Sequence, residues 1–258
     1  MDLHLNGKRV LVTGASKGIG RACAEMLAAE GCAVMIAARD ADRLNAAATE
    51  IAGSTGSTVK VRPTDLSQRG AAEALAAWAG EIDILVNNAG AIPGGDLLKV
   101  DEDTWRRAWD LKVFGYVNLC RAAYADMKRR KSGVIVNILG NAGEKLDASY
   151  IAGSTANAGL MAFTRALGGV SHADGIRVVG INPGPVATDR LISLYKQRAE
   201  VKLGSAERYR ELFEGMSFGR PAAPEEIAAA VAFIASRRSS YTTGCILSID
   251  GGLAARST

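Results

Sequence analysis

The chain has 258 residues, of which 48% are hydrophobic, 22% charged and 5% aromatic. That length and apolar content suffice for one large core, and they exclude disordered, collagen-like and fibrous classes. The formal charge of +4 is dispersed, so a nucleic-acid partner is not expected.

The densest basic run, Lys128-Arg129-Arg130-Lys131, ends a predicted helix, where cations complement the negative pole of the helix dipole. Arg237-Arg238 reads the same way. The four cysteines, Cys23, Cys32, Cys120 and Cys245, are far apart and form no zinc-ligating pattern, so reduced core residues and no metal are expected. Residues 1–8 lack the basic start and apolar run of a signal peptide, and no apolar stretch approaches 18 residues. A cytoplasmic protein without a membrane partner is the expectation.

Along the chain, short aliphatic runs predict strands at Arg9–Thr13, Ala33–Ala38, Thr58–Arg62, Ile84–Asn87, Val134–Leu139, Arg177–Ile181 and Ile246–Ile249. The runs are continuous, as in strands buried on both faces. Alanine-rich amphipathic stretches lie between them; in the first, Ile19, Ala22, Cys23, Met26 and Leu27 share a helix face. This rhythm predicts an α/β fold: a doubly wound, parallel, seven-stranded sheet in a single Rossmann-type domain over 1–258, with the ligand crevice at the strands' carboxyl ends. The segment 189–219 breaks the rhythm, mixing charges with Leu191, Tyr195, Phe213 and Phe218. It is expected to form short amphipathic helices acting as a substrate lid.

Between the first strand and first helix stands Thr13-Gly14-Ala15-Ser16-Lys17-Gly18-Ile19-Gly20. Gly14, Gly18 and Gly20 let the backbone turn sharply and bring peptide N–H groups to an anion at a helix N-terminus. An acidic residue ending the second strand would select NAD by binding both ribose hydroxyls; here Ala38 and Arg39 occupy that position. Arg39 can clamp a 2′-phosphate and Lys17 can add a second charge, which favours NADP(H). Asp40 precedes the helical pattern Ala41–Ile51 and is read as its N-cap.

With these residues the chain resembles the short-chain dehydrogenase/reductase family over nearly its whole length. The likeness rests on the glycine turn with Ser16 and Ile19, Asp65-Leu66-Ser67, Asn87-Asn88-Ala89-Gly90, Tyr150, Asn182-Pro183-Gly184-Pro185-Val186-Ala187-Thr188-Asp189, and Asp250-Gly251-Gly252. The resemblance implies that Asp65 and Leu66 flank the adenine, that Asn88 and Gly90 approach the cofactor ribose, and that Val186 and Thr188 meet the nicotinamide amide. It also implies a small-molecule carbonyl or alcohol substrate and a homotetramer or homodimer packed through the helices beginning near Asp101 and Ser149.

The family's tyrosine exchanges a proton with the substrate oxygen while hydride moves, and a lysine one turn later lowers its pKa from about 10. Matching Tyr150 to that tyrosine places Ser154 where the lysine belongs, Gly140 where a carbonyl-binding serine belongs, and Lys112 at the asparagine seven residues after Trp105. The loop from Gly140 to Tyr150 then runs about three residues short. Two functions remain in view. One is an NADP(H)-dependent oxidoreductase interconverting a carbonyl and an alcohol, with Tyr150 as acid/base and Lys112 relocating the missing charge. The other is a catalytically weakened NADP(H)-binding sensor or scaffold. Asn141 and Glu144 are candidate substrate contacts in the short loop, while His4 and His172 are expected to be exposed and away from the chemistry.

Overall fold

An unbroken aliphatic run has no polar face to offer water, so it is stable only in a strand covered on both sides. The computed structural model, which describes residues 1–256, places seven such strands in one parallel sheet. They are β1 (Arg9–Thr13), β2 (Ala33–Ala38), β3 (Val59–Pro63), β4 (Ile84–Asn87), β5 (Gly133–Ile138), β6 (Ile176–Pro183) and β7 (Ile246–Ile249). Their order across the sheet is β3-β2-β1-β4-β5-β6-β7. The central strands are buried along most of their length; β3, at one edge, instead alternates, with Lys60 and Arg62 exposed, because it is covered on a single face.

Among the described residues, eight α-helices join these strands: α1 (Gly18–Ala29), α2 (Ala41–Thr55), α3 (Ala71–Ala79), α4 (Glu102–Trp109), α5 (Gly115–Arg130), α6 (Ile151–Ser171), α7 (Asp189–Leu203) and α8 (Pro224–Ala235). Successive strand residues point to opposite faces, and two cores follow from that alternation. Val10 and Val12 of β1 pack with α1 and α8 on one side, while Leu11 packs with α3 and α5 on the other. Strand order reverses between β2-β1 and β4-β5, so the carboxyl ends of β1 and β4 bound the crevice that such a reversal opens.

Local chemistry sets the element ends. Asp40 caps α2 by accepting from the Arg43 amide at 3.1 Å, and Asp101 caps α4 by accepting from the Thr104 amide at 2.7 Å. The basic end of α5 is a solvated, ion-paired terminus: Arg129 and Arg130 meet Asp126, and Lys128 and Lys131 meet Asp174. All four cysteines are free. His4 and His172 are exposed, and no helix is long and apolar enough to cross a membrane among the described residues.

Between α4 and α5 the rod passes through one π-helical turn, Asp110–Phe114, which contains Lys112. Such single π turns often accompany functional sites because they re-aim side chains. The 189–219 segment differs from the expected string of short helices. It holds the 15-residue α7 followed by tight 3-10 turns at Ala206–Phe213 and Ser217–Gly219. Phe213 draws the turns back onto α7, its ring 5.1 Å from Tyr195 and 5.6 Å from Tyr209.

One polar ladder crosses the interior beneath the crevice. Asn87 donates to Asn137 Oδ1 at 2.9 Å, and Asn137 Nδ2 donates to Thr164 Oγ1 at 3.0 Å, joining β4, β5 and α6. A buried polar group that loses its partner keeps its full desolvation cost. Asn137→Ala should therefore lower unfolding stability by about 2 kcal/mol, measured as a fall in the urea midpoint with an unchanged slope.

Candidate active site

The glycine turn is shaped by how closely two strand ends approach. A Cβ on Gly14, whose φ is +65°, would stand 2.8 Å from both Ala89 Cα and Asn88 Nδ2. One on Gly20 would overlap the same Asn88 amide and the Gly14 carbonyl. Asn88 Nδ2 donates to the carbonyls of Thr13 and Gly14, at 3.1 Å each, and the Thr13 hydroxyl accepts from the Asn88 amide at 3.0 Å. The Asn88 side chain thus locks the β4 end onto the turn.

A cleft of about 530 Å³ opens above this lock. Its walls include Gly14, Ser16, Lys17, Gly18 and Ile19 from the turn, and Arg39 from the end of β2. Leu66, Asn88, Gly90 and Thr188 complete the set of expected residues that reach it. Three expected residues do not line it. Gly20 sits beneath the turn, and Val186 is buried, its carbonyl accepting from the Thr188 amide at 2.7 Å. Asp65 turns back to accept from the Ser67 amide and hydroxyl, at 3.1 and 2.8 Å. Burial pushes the Asp65 carboxyl up, but the Ser67 hydrogen bonds and the Arg39 charge outweigh it and leave the pKa below its ordinary value.

Arg43, which sequence reasoning missed, also lines the cleft, four residues along α2 from Arg39. Helical spacing after Arg39 was the signal that could have found it. With Lys17 among the glycine peptides of the turn and Arg39 and Arg43 beyond the end of β2, the residues present fit a dinucleotide carrying an extra phosphate.

Behind Gly90 of the cleft wall lies Lys112, 9% exposed, with Nζ donating to the Leu139 carbonyl at 2.7 Å. Its stem passes under Gly90, whose Cβ would lie 3.0 Å from Lys112 Cδ. Burial, assisted by the Arg190 charge, pushes the ammonium down to about 7. The Lys112 ammonium is directed at the Leu139 carbonyl, and no hydrogen bond joins it to Tyr150 among the described residues. Burial also raises the Tyr150 hydroxyl, and the cation that opposes this is Arg190, from the first turn of α7.

The positions around Tyr150 depart from expectation as well. Tyr150 precedes α6, and a Cβ on Gly153 would overlap the Cε1 and Cζ atoms of its ring. The ring therefore fills the space a side chain at 153 would take. Counting three residues onward removes the apparent shortening of the loop: Gly153 then falls at the family's tyrosine position and Asn157 at the lysine position. Asn157 is 2% exposed, and its Nδ2 stands 2.9 Å from where a Gly140 Cβ would be. Ser154 is not a lysine surrogate, since its hydroxyl accepts from the Asp147 amide at 3.0 Å and pins the loop. Glu144 faces Asn182 and Ser248, at 3.3 and 2.9 Å, so the expected substrate contact is occupied within the fold.

A sequence profile described as short chain dehydrogenase matches residues 8–199. The 3-oxoacyl-[acyl-carrier-protein] reductase of Chlamydia muridarum is 34% identical over 258 residues, covering 98% of this chain and 100% of that protein. Galactitol 2-dehydrogenase (L-tagatose-forming) of Cereibacter sphaeroides is 33% identical, covering 96% of each. Among solved structures, L-sorbose reductase from Gluconobacter frateurii, complexed with NADPH and L-sorbose, superposes with a TM-score of 0.93 at 30% identity and full coverage of both chains.

Two measurements test the site. Arg39→Ala should weaken NADPH binding by about tenfold or more, the loss of one charge-assisted phosphate clamp, while changing NADH binding little, as read by nucleotide fluorescence titration. Lys112 has a folded pKa below its unfolded value of 10.5. The unfolded chain therefore binds the extra proton between about pH 7 and 10.5, the burial cost is full below pH 7, and it fades as pH rises through that window. Lys112→Met should stabilise the fold by about 3 kcal/mol at pH 6, with the gain shrinking toward pH 10 in parallel denaturation series.

Proposed function

The chain belongs to the short-chain dehydrogenase family and is an NADP(H)-dependent oxidoreductase; from that premise we propose that it interconverts a ketone and a secondary alcohol with Tyr150 as the acid/base. The observation that carries this reading is the placement of the Tyr150 ring in the space a side chain at Gly153 would take, packed against the cluster that holds Ile92, whose carbonyl accepts from Arg190 of the cleft wall. The relatives named above act on ketones or secondary alcohols in thioester and sugar substrates, and this chain is proposed to take a substrate of the same bond type.

The dinucleotide, when bound, supplies or accepts the hydride. Lys17, Arg39 and Arg43 would hold its phosphates, and the Gly14–Gly20 turn would present peptide N–H groups to them. In reduction, Tyr150 gives its hydroxyl proton to the carbonyl oxygen as the carbon gains hydride, and the tyrosinate is reprotonated from solvent. Oxidation reverses each transfer. Burial holds the Tyr150 hydroxyl in its protonated form, and the Arg190 charge works against that burial. Lys112 keeps the end of β5 in place through Leu139 and exchanges a proton near neutrality. The 189–219 segment is proposed to close over the substrate. Copies are proposed to associate through the α4–α5 face, where Phe114 is half exposed beside Trp105 and Trp109.

A second reading, a cofactor-binding sensor or scaffold, is favoured by Gly140, Gly153 and Asn157, which offer neither hydroxyl nor charge at the positions the family uses. NADPH oxidation assayed with a 3-oxoacyl thioester and with a ketose separates the two. Turnover that falls about a hundredfold or more in Tyr150→Phe, with NADPH affinity retained, is the expected result. Tight NADPH binding with no turnover on either class, or turnover indifferent to Tyr150→Phe, would overturn the proposed chemistry.

A further inference from the structure

We propose that Arg190 is the charged partner of Tyr150, delivered by the first turn of α7 and not by α6, so that proton transfer depends on how the 189–219 segment is seated. This rests on the proposed acid/base role of Tyr150, and extends it with a positioning residue outside the family's pattern.

Three features place Arg190. Its Nη2 donates to the Ile92 carbonyl at 2.6 Å. Ile92 is buried in the same apolar cluster as the Tyr150 ring, together with Val100, Ala152 and Ala156. The guanidinium anchored there lines the cleft, and its charge opposes the rise that burial imposes on the Tyr150 hydroxyl. Ile92 is thus a shared footing for the two residues.

The other ionisable groups on the elements around Tyr150 are engaged elsewhere. Arg106 and Arg107 of α4 turn to Glu102 and Thr104, the Asp147 carboxylate accepts from Ser149, and Lys112 of the π turn points at Leu139. Arginine also suits the task better than lysine in this setting. A guanidinium stays charged beyond pH 12 and is more weakly hydrated than an ammonium, so partial burial does not discharge it as it discharges Lys112.

The location couples chemistry to the cofactor. Thr188 caps α7 and lies against the glycine turn, its Cγ2 3.1 Å from where a Gly18 Cβ would be. Ligands that settle at that turn therefore press on the helix turn that carries Arg190. A lysine on α6 would be fixed whether or not the cleft is filled; an arginine on α7 moves with its segment.

The test labels all six tyrosines as 3-fluorotyrosine, which lowers phenol ionisation into an accessible pH range. The Tyr150 resonance is assigned by its loss in Tyr150→Phe and followed by fluorine NMR against pH. In Arg190→Met the Tyr150 midpoint should move up by about one pH unit or more, and Arg190→Lys should recover part of that shift. NADPH titration and thermal melting of both variants check that the cleft and fold persist. A Tyr150 midpoint that stays put in a folded Arg190→Met protein overturns the assignment, whatever the turnover. Conversely, a midpoint that shifts in a protein with no ketone reduction would leave the Tyr150–Arg190 pair standing and sink the proposed reaction.

Discussion

Everything in this molecule's upper half depends on how closely the carboxyl ends of β1 and β4 approach each other. Asn88 binds the carbonyls of Thr13 and Gly14, and Gly14 and Gly20 leave no room for a Cβ against it. This contact fixes the glycine turn, aims the N-terminus of α1 and opens the cleft on one side. It also carries Gly90 over the stem of Lys112, so the phosphate end and the chemical end of the site share one support.

Burial and charge are in competition at the chemical end. Lys112 is enclosed so fully that its ammonium is nearly discharged, and the Tyr150 hydroxyl is pushed toward its neutral form. A site whose enclosure strips charge from an amine needs a cation that resists desolvation, and the guanidinium of Arg190, held on the Ile92 carbonyl, has that property. Glycine at 153 gives the tyrosine ring its space, and Asn157 occupies the neighbourhood of Gly140 without a charge.

The outcome at Tyr150 shows where sequence reading reaches its limit. Pattern matching can align a tyrosine and count four residues to Ser154, but it cannot tell that a ring enters from three residues upstream. The sign of the discrepancy was visible as a loop about three residues short. Its meaning was not, because whether a side chain at 153 or the ring of Tyr150 fills a given volume is decided by the path of the loop before α6. Arg190 was equally hidden: 40 residues along the chain from Tyr150, it reaches the Ile92 carbonyl only through the packing of α7.

By itself the sequence determined the βαβ rhythm, the strands within about a residue at most ends, the glycine turn, and the cationic end of β2 that favours NADP(H). These are local properties: periodicity, aliphatic runs, caps such as Asp40, and a charge next to a strand end. The tertiary structure alone decided that the Arg190 guanidinium rests on the Ile92 carbonyl, that burial lowers the Lys112 pKa, and that Asp65, Gly20 and Val186 stand behind the cleft wall instead of on it. Those depend on burial and on approaches between distant segments, and desolvation belongs to the assembled interior, not to any stretch of chain.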